Sequence, residues 1–252
     1  MKPITWYKSL AESKNRRQYG YFLIEGKRAV DQVLTHHRDS VEELLCTDEI
    51  APSITTIPVR IISAAHMKSI CTSRTPQGIA ALVRIPDDIY TDNIPALNTR
   101  GRVLLLEHIQ DPGNVGTLIR TAAAFGIDGV ILSGQCADPF SPKVIQSTAG
   151  SILSVWIRKT DRYLPLTDTL KEKYGCKMIA ADLNGSDIRG FSDPGAHILA
   201  LGNEGSGLSG ELLGRCDCRI RIPIEKDNAE SLNVAVSGAI LMFVLGGSVN
   251  TP

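Results

Sequence analysis

The chain has 252 residues, 43% of them hydrophobic and 21% charged, with a formal net charge of zero. That is the make-up of an ordinary globular protein with room for one large domain or two small ones. It excludes three classes: no apolar run reaches the length of a membrane span, the six cysteines form neither a C-x-x-C pair nor a disulfide-like framework, and none of the five histidines stands at metal-ligand spacing from a cysteine.

The first twenty residues lack the apolar core of a signal peptide, so a cytoplasmic, metal-free protein is expected. Charge is unevenly spread. Residues 1–85 hold 12 Lys/Arg against 8 Asp/Glu, a balance of +4, and the remainder holds 15 against 19, a balance of −4. Lys8, Lys14, Arg16, Arg17, Lys27 and Arg28 lie close together in the basic front. A solvated helix face and a phosphate-contacting surface both have this appearance.

In chain order, Tyr21–Ile24 reads as a short strand and Lys27–His36 as a helix with Ala29, Val30, Val33 and Leu34 inward. Val41–Cys46 and Val59–Ile62 read as strands, and Ser63 as the cap of a helix reaching Ser69 or Thr72. Thr75–Gly78 is a turn, and Ile79–Val83 a strand too apolar to be half exposed. Strands alternating with helices predict a small α/β sandwich over residues 1–85. Residues 86–101 carry prolines, aspartates, asparagines and a glycine between isolated apolar residues, which is linker composition. A second domain is expected over 102–252.

That domain opens with a strand at Leu104–Leu106, a turn at Asp111-Pro112-Gly113, a helix over Val115–Phe125 closed by Gly126, and a strand at Gly129–Leu132. Such a strand–helix–strand unit delivers Asn114 and Arg120 to the C-terminal edge of a parallel sheet, where ligands bind. A loop over 133–139 follows, then a helix from Pro142 to Ala149, a strand at Ser154–Ile157, a helix over Leu164–Tyr174 with Gly175 as its cap, and strands at Lys177–Ala181 and His197–Leu201. A short helix over Leu208–Arg215 and a strand at Arg219–Ile222 complete the alternation, which predicts a mostly parallel sheet with helices on both faces. Ser231 is the expected cap of a final helix over Leu232–Leu245. Its apolar surface nearly all round places it in the core or, by one face, against a second subunit. Asn233 falls inside that helix, where a buried amide would need partners.

Three strings carry the chemistry: Asp111-Pro112-Gly113-Asn114-Val115-Gly116 through Arg120-Thr121-Ala122, then Gly202-Asn203-Glu204-Gly205-Ser206-Gly207, then Ile222-Pro223-Ile224 with Glu230-Ser231-Leu232-Asn233-Val234-Ala235. Each alone has a bland reading, as an ordinary βαβ loop, a flexible glycine loop or an asparagine bonded to nearby backbone. A dinucleotide-dependent oxidoreductase is disfavoured because G-x-G-x-x-G is absent. In this order and at these separations the strings resemble the three motifs of the SpoU (TrmH-type) RNA ribose 2′-O-methyltransferases, within the knotted SPOUT class. The resemblance spans residues 15–246. In the front region it rests on Asn15-Arg16-Arg17 ahead of Phe22–Gly26 and on Thr75–Ala80.

The resemblance implies an RNA-binding N-terminal domain similar to a small ribosomal protein, a C-terminal domain with a deep trefoil knot, S-adenosylmethionine as cofactor, and a homodimer. It implies a cofactor lining of Gly202, Ile222 and Leu232, and RNA contacts at Arg16, Arg17 and Arg74. Arg120 is the expected catalytic residue, with Asn114 positioning it or the ribose, and Glu204, Ser231 and Asn233 completing the shell. The substrate is expected to be ribosomal RNA of the large subunit, or else tRNA. Residues 225–229, Glu225-Lys226-Asp227-Asn228-Ala229, depart from the family's short glycine-containing turn. The alternative is a non-catalytic RNA-binding or ribosome-assembly protein that keeps the fold, and that loop is its support.

Overall fold

The computed structural model describes residues 2–50, 56–98, 101–192, 194–225, 227–228 and 230–246. Two compact units emerge, one of residues 1–87 with 138–154 and one of residues 88–137 with 155–252.

The first unit begins with helices α1 (Ile4–Ser9) and α2 (Ser13–Tyr19), then strand β1 (Tyr21–Glu25), helix α3 (Lys27–His36), strands β2 (Val41–Cys46) and β3 (Val59–Ile61), helix α4 (Ala64–Ile70) and strand β4 (Ile79–Arg84). Helices α1 and α2 escape a periodicity reading because each buries a single side chain, Tyr7 and Arg16. Ser63 caps α4 as expected, its hydroxyl accepting from the His66 N–H at 3.2 Å. The sheet order is β1-β4-β2-β3, antiparallel except for the β2/β3 pair. All of β4 but its last residue is buried, which accounts for its apolar run.

Arg16 does not face solvent. It is 2% exposed, Nη1 donates to the Leu10 and Ala11 carbonyls at 2.7 Å each, and Nη2 pairs with Asp138 at 2.5 Å. With both Nη atoms bonded inside the protein and Nε buried, this guanidinium is closed off from a phosphate. Its expected role as an RNA contact is therefore corrected to a structural one. Arg17 and Arg74 are exposed.

The second unit contains strand β5 (Arg102–Leu106), helix α5 (Pro112–Ala124) and strand β6 (Gly129–Ser133). Helix α6 (Pro142–Thr148), next in the chain, belongs to the first unit and packs on β1, where Phe140 meets Phe22 with ring centroids 5.0 Å apart. The second unit resumes with strand β7 (Trp156–Thr160), helix α7 (Tyr163–Tyr174), strands β8 (Lys177–Asp187) and β9 (His197–Leu201), helix α8 (Gly210–Leu213), strand β10 (Cys218–Arg221) and helix α9 (Val234–Leu245). No described helix is long and apolar enough to cross a membrane.

The six strands lie in the order β10-β8-β9-β5-β6-β7, every pair parallel. Strands β5, β6 and β9 are buried at every residue, as strands covered on both faces must be. Successive strands run outward from β5 through β6 to β7, while β9 takes the other side of β5. The direction of winding therefore reverses between β5 and β9, and in such sheets the crevice at that point receives the ligand. Leu106 pairs with Leu201, so the loops that follow these two strands leave the sheet side by side.

Several local readings change. Asp111-Pro112-Gly113 is not a turn ahead of a helix but its beginning: the Asp111 carboxylate accepts from the Asn114 N–H at 2.9 Å and Pro112 takes the first turn, where its missing N–H costs nothing. Strand β7 starts later and runs further than its apolar residues suggest, because it buries Arg158 and Lys159. The linker-like stretch is in part bonded along β7: Arg158 donates to the Asn93 carbonyl at 2.5 Å and pairs with Asp88, and the Lys159 N–H donates to Ile89. Thr99 and Arg100 of that stretch lie outside the described residues. Strand β8 is 11 residues long, and its pairing with β10 jumps from Ala180 to Ser186. The residues between bulge outward. Gly185 permits this, since a Cβ there would sit 2.5 Å from the Ile220 nitrogen.

The last helix differs too. Its cap is Asn233, not Ser231: the Asn233 Oδ1 accepts from the N–H groups of Ala235 and Val236, so Asn233 stands at the helix entrance, exposed, and not inside a buried helix. Helix α9 is also not buried all round. One face, with Gly238, Leu241 and Met242, packs on α5 and β9, and the other leaves Val236, Ile240, Phe243 and Val244 exposed by 36–67%.

Candidate active site

A cavity of about 480 Å³ opens at the C-terminal edge of the sheet, within the range of small-molecule sites. Its walls are the bulge of β8 (Ala181–Asn184), the loop after β9 (Gly202–Leu208), the segment from Arg219 to Ile222 with Ile224, and the approach to α9 at Ser231 and Leu232. Gly202, Ile222 and Leu232, the three residues expected to line a cofactor, all face it. Glu204 and Ser231 do so too. Asn114, Arg120 and Asn233 do not.

Gly202 is required for a reason other than ligand approach. A Cβ on it would stand 2.3 Å from the Gly207 carbonyl carbon and 2.4 Å from the Leu208 nitrogen, so the loop folds back onto this position. Asn203, which sequence reasoning passed over, holds the fold-back. Its backbone exchanges two hydrogen bonds with Gly207, its Oδ1 accepts from the Gly205 and Ser206 N–H groups, and its Nδ2 donates to the His108 carbonyl at 3.0 Å. The signal was present: asparagine directly after a strand and before alternating glycines is a residue suited to pin a loop.

The decisive geometry joins the three sequence motifs. The Asn114 Nδ2 donates to Glu204 Oε1 at 2.5 Å, and the Asn233 Nδ2 donates to Asn114 Oδ1 at 3.0 Å. One side chain from each motif thus forms a single hydrogen-bonded chain, Glu204–Asn114–Asn233, over separations of 90 and 119 residues. Both ends of the Asn114 amide are engaged in this chain, and Asn114 makes no side-chain bond to Arg120. Arg120 is exposed and makes no hydrogen bond or ion pair among the described residues.

Two further carboxylates flank the cavity's walls. Asp182, on the β8 bulge, pairs with Arg219 at 3.3 Å, and both residues line the cavity. Glu107, wholly buried at the end of β5, accepts from the Tyr163 hydroxyl at 2.6 Å and from the Ser209 N–H and hydroxyl at 2.6 and 2.7 Å. Burial first, and the Glu107 hydrogen bond second, push the Tyr163 hydroxyl well above its ordinary range, so it remains a donor at any physiological pH. Nothing in the sequence marks Asp182. Glu107 is legible only as a lone carboxylate closing an apolar strand.

The profile of the SpoU rRNA Methylase family matches residues 101–243, more than half of the chain. The chain belongs to this SpoU family. Residues 3–81 match the MRM3-like substrate binding domain. Among SpoU relatives, the Bacillus subtilis (strain 168) 23S rRNA (guanosine(2553)-2′-O)-methyltransferase RlmP is 37% identical over 246 residues, covering 96% of this chain and 94% of that protein. The Streptomyces viridochromogenes 23S rRNA (uridine(2479)-2′-O)-methyltransferase is 26% identical, covering 98% and 92%. A solved structure of an AdoMet-bound rRNA methyltransferase from Sinorhizobium meliloti superposes with a TM-score of 0.79 at 26% identity, over 96% of this chain and 93% of that one.

The cavity fits S-adenosylmethionine. Leu201, Leu208, Ile220, Ile222 and Leu232 give the cavity an apolar wall, and the backbone of the Gly202–Leu208 loop gives it hydrogen-bonding edges, the two kinds of surface an adenosyl group requires. The charged lining of the cavity is mixed, with Glu204 and Asp182 alongside Arg219 and Arg221. Lys226 and Ala229 of the atypical 225–229 segment lie outside the described residues.

Proposed function

We propose that this protein methylates a ribose 2′-hydroxyl of large-subunit ribosomal RNA. It is an S-adenosylmethionine-dependent RNA 2′-O-methyltransferase. The observation that carries the reading is the Glu204–Asn114–Asn233 chain, which ties all three motifs to the wall of one cavity. The two full-length relatives named above act on a guanosine and a uridine. The feature common to both is the sugar, and this is the group that the chemistry addresses.

Bound in the cavity, S-adenosylmethionine supplies an electrophilic methyl group on a sulfonium. The chain's own work is to align the ribose 2′-hydroxyl, whose proton is released to solvent as the oxygen–carbon bond forms. Gly202, Ile222 and Leu232 hold the adenosyl end. The Ser231 hydroxyl, which faces the cavity with no hydrogen bond among the described residues, is free to meet a ligand. Asn114 and Asn233 hold Glu204 in one orientation. The role assigned to Arg120 is electrostatic. Its exposed, uncommitted guanidinium clamps the phosphate beside the target ribose and stabilises the developing alkoxide.

The first unit carries the RNA contacts, with Arg17 and Arg74 exposed for that purpose. The second carries a trefoil knot, a reading supported by its match to the SpoU family; β10 lies outermost beside β8, and the helix that follows it returns to α5 and β9. A homodimer forms through the exposed apolar face of α9, Val236, Ile240, Phe243 and Val244, where Phe243 lies tilted against Phe125 with ring centroids 5.9 Å apart. The protein works in the cytoplasm, on ribosomal RNA in preference to tRNA.

Mapping 2′-O-methylated riboses in total RNA from a deletion strain tests the assignment. One methyl group should vanish from large-subunit rRNA and return when the purified protein and S-adenosylmethionine are added to the undermethylated RNA. An unchanged methylation map refutes the proposal. Light scattering at micromolar concentration should show a dimer, and Phe243→Asp should make it a monomer; a wild-type monomer refutes the dimer.

A further inference from the structure

We infer that Glu107, acting through Ser209 and Tyr163, is a positioning residue for cofactor binding. The inference rests on the cofactor reading of the cavity given above. All seven residues from Gly202 to Leu208 face the cavity, so the shape of this one loop sets one whole wall. Its two ends are fastened by two consecutive residues at the end of β5. At the start, Asn203 donates to the His108 carbonyl. At the end, the Ser209 N–H and hydroxyl both donate to Glu107.

The fastening is rigid at each member. Glu107 is wholly buried and held from a second side by the Tyr163 hydroxyl. The Ser209 hydroxyl, while donating to Glu107, accepts from the Leu212 N–H as the cap of α8, so it is fixed in both roles. His108 has φ +58°, the left-handed region that a residue with a side chain rarely takes. Its own N–H is held by the Ser133 hydroxyl at 2.9 Å, so this conformation is determined by neighbours. Between the two clamps, Asn114 bonds the middle of the loop at Glu204. The strand that feeds the Asn114 helix therefore also sets the cofactor wall. A loop that must meet a ligand within about half an ångström needs such a supporting shell.

Glu107→Gln leaves a donor amide facing Ser209 and Tyr163, and Tyr163→Phe removes one hydroxyl while keeping the ring. Calorimetric titration of the purified protein with S-adenosylmethionine should show affinity weakened about tenfold in Glu107→Gln and about threefold in Tyr163→Phe, the scale of one or a fraction of one buried hydrogen bond. Amide exchange of residues 203–208 in the cofactor-free protein should quicken in both variants, while affinity for the RNA substrate stays within about twofold of wild type because no RNA contact is touched. If Glu107→Gln does not fold, Tyr163→Phe decides. Affinity for S-adenosylmethionine within about twofold of wild type in a folded variant, with unchanged loop exchange, overturns the inference. If wild type itself fails to bind S-adenosylmethionine, the cofactor reading falls first.

Discussion

Gly202→Ala tests the geometry on which the cavity depends. The added Cβ would begin 2.3 Å from the Gly207 carbonyl carbon, 2.4 Å from its oxygen and 2.4 Å from the Leu208 nitrogen. Ordinary contact starts at 3.4 Å, so the returning backbone must retreat by about 1 Å. No flexible side-chain end is available to give way, because all three atoms are backbone. Overpacking of this kind costs about 1–3 kcal/mol, which in a unit of this size lowers the melting temperature by about 5 °C. The effect on the ligand is larger, since the displaced segment is the cavity wall, and a misplacement of about 1 Å costs up to about a hundredfold. Calorimetric titration with S-adenosylmethionine should therefore show affinity weakened by about tenfold or more at a temperature where the variant remains folded. Gly210→Ala, whose Cβ meets nothing within 4 Å, is the matched control and should bind normally. Wild-type affinity in Gly202→Ala would show that the loop does not set the wall of the site.

Arg120→Ala should keep cofactor affinity and lose methyl transfer, because the guanidinium is exposed and outside the cavity; normal turnover of RNA would refute its assignment. Asn233→Ala should destabilise by about 1 kcal/mol through loss of the α9 cap. Asn233→Asp keeps an accepting oxygen for the cap but cannot donate to Asn114, so denaturant melts should be near wild type while methyl transfer falls; wild-type activity in Asn233→Asp would dissociate the bond from catalysis. Asp138→Asn should cost about 3–5 kcal/mol by stranding the buried Arg16 charge. Burial acts to raise the Asp138 carboxyl, but the charge and hydrogen bond of Arg16 outweigh it and hold the group below its ordinary value. The stabilisation is thus complete above the unfolded carboxylate range and is lost as pH falls through the folded value. Urea melts of wild type should weaken from about pH 5 downward, with Asp138→Asn flatter over the same range; parallel curves would refute the pairing.

Most strands and the longer helices were legible because burial imposes a period. The continuous apolar residues of β5, β6 and β9 require a sheet covered on both faces, and the stripe of α3 requires a helix on a sheet. Turn and cap chemistry was legible where one residue acts alone, as Ser63 does. It failed where two residues compete for one position. Ser231 and Asn233 are equally good caps by type, and only the location of Asn114 selects Asn233. Arg16 failed for the opposite reason. An arginine in a basic stretch reads as surface, and its burial depends on a carboxylate 122 residues further along the chain.

The site divides in the same way. Local sequence was sufficient to nominate candidate residues, because glycine loops and an arginine on a helix are recognisable within a few positions, and the family's motifs occur in order. It could not say which of them touch. The Glu204–Asn114–Asn233 chain exists because β5 and β9 pair in one register and α9 packs on α5, and long-range pairing leaves no trace in the local pattern. The role of Glu107 and the existence of the β8 bulge were hidden for that reason: a buried carboxylate and an extra loop of strand acquire meaning only from the partners that the tertiary structure places around them.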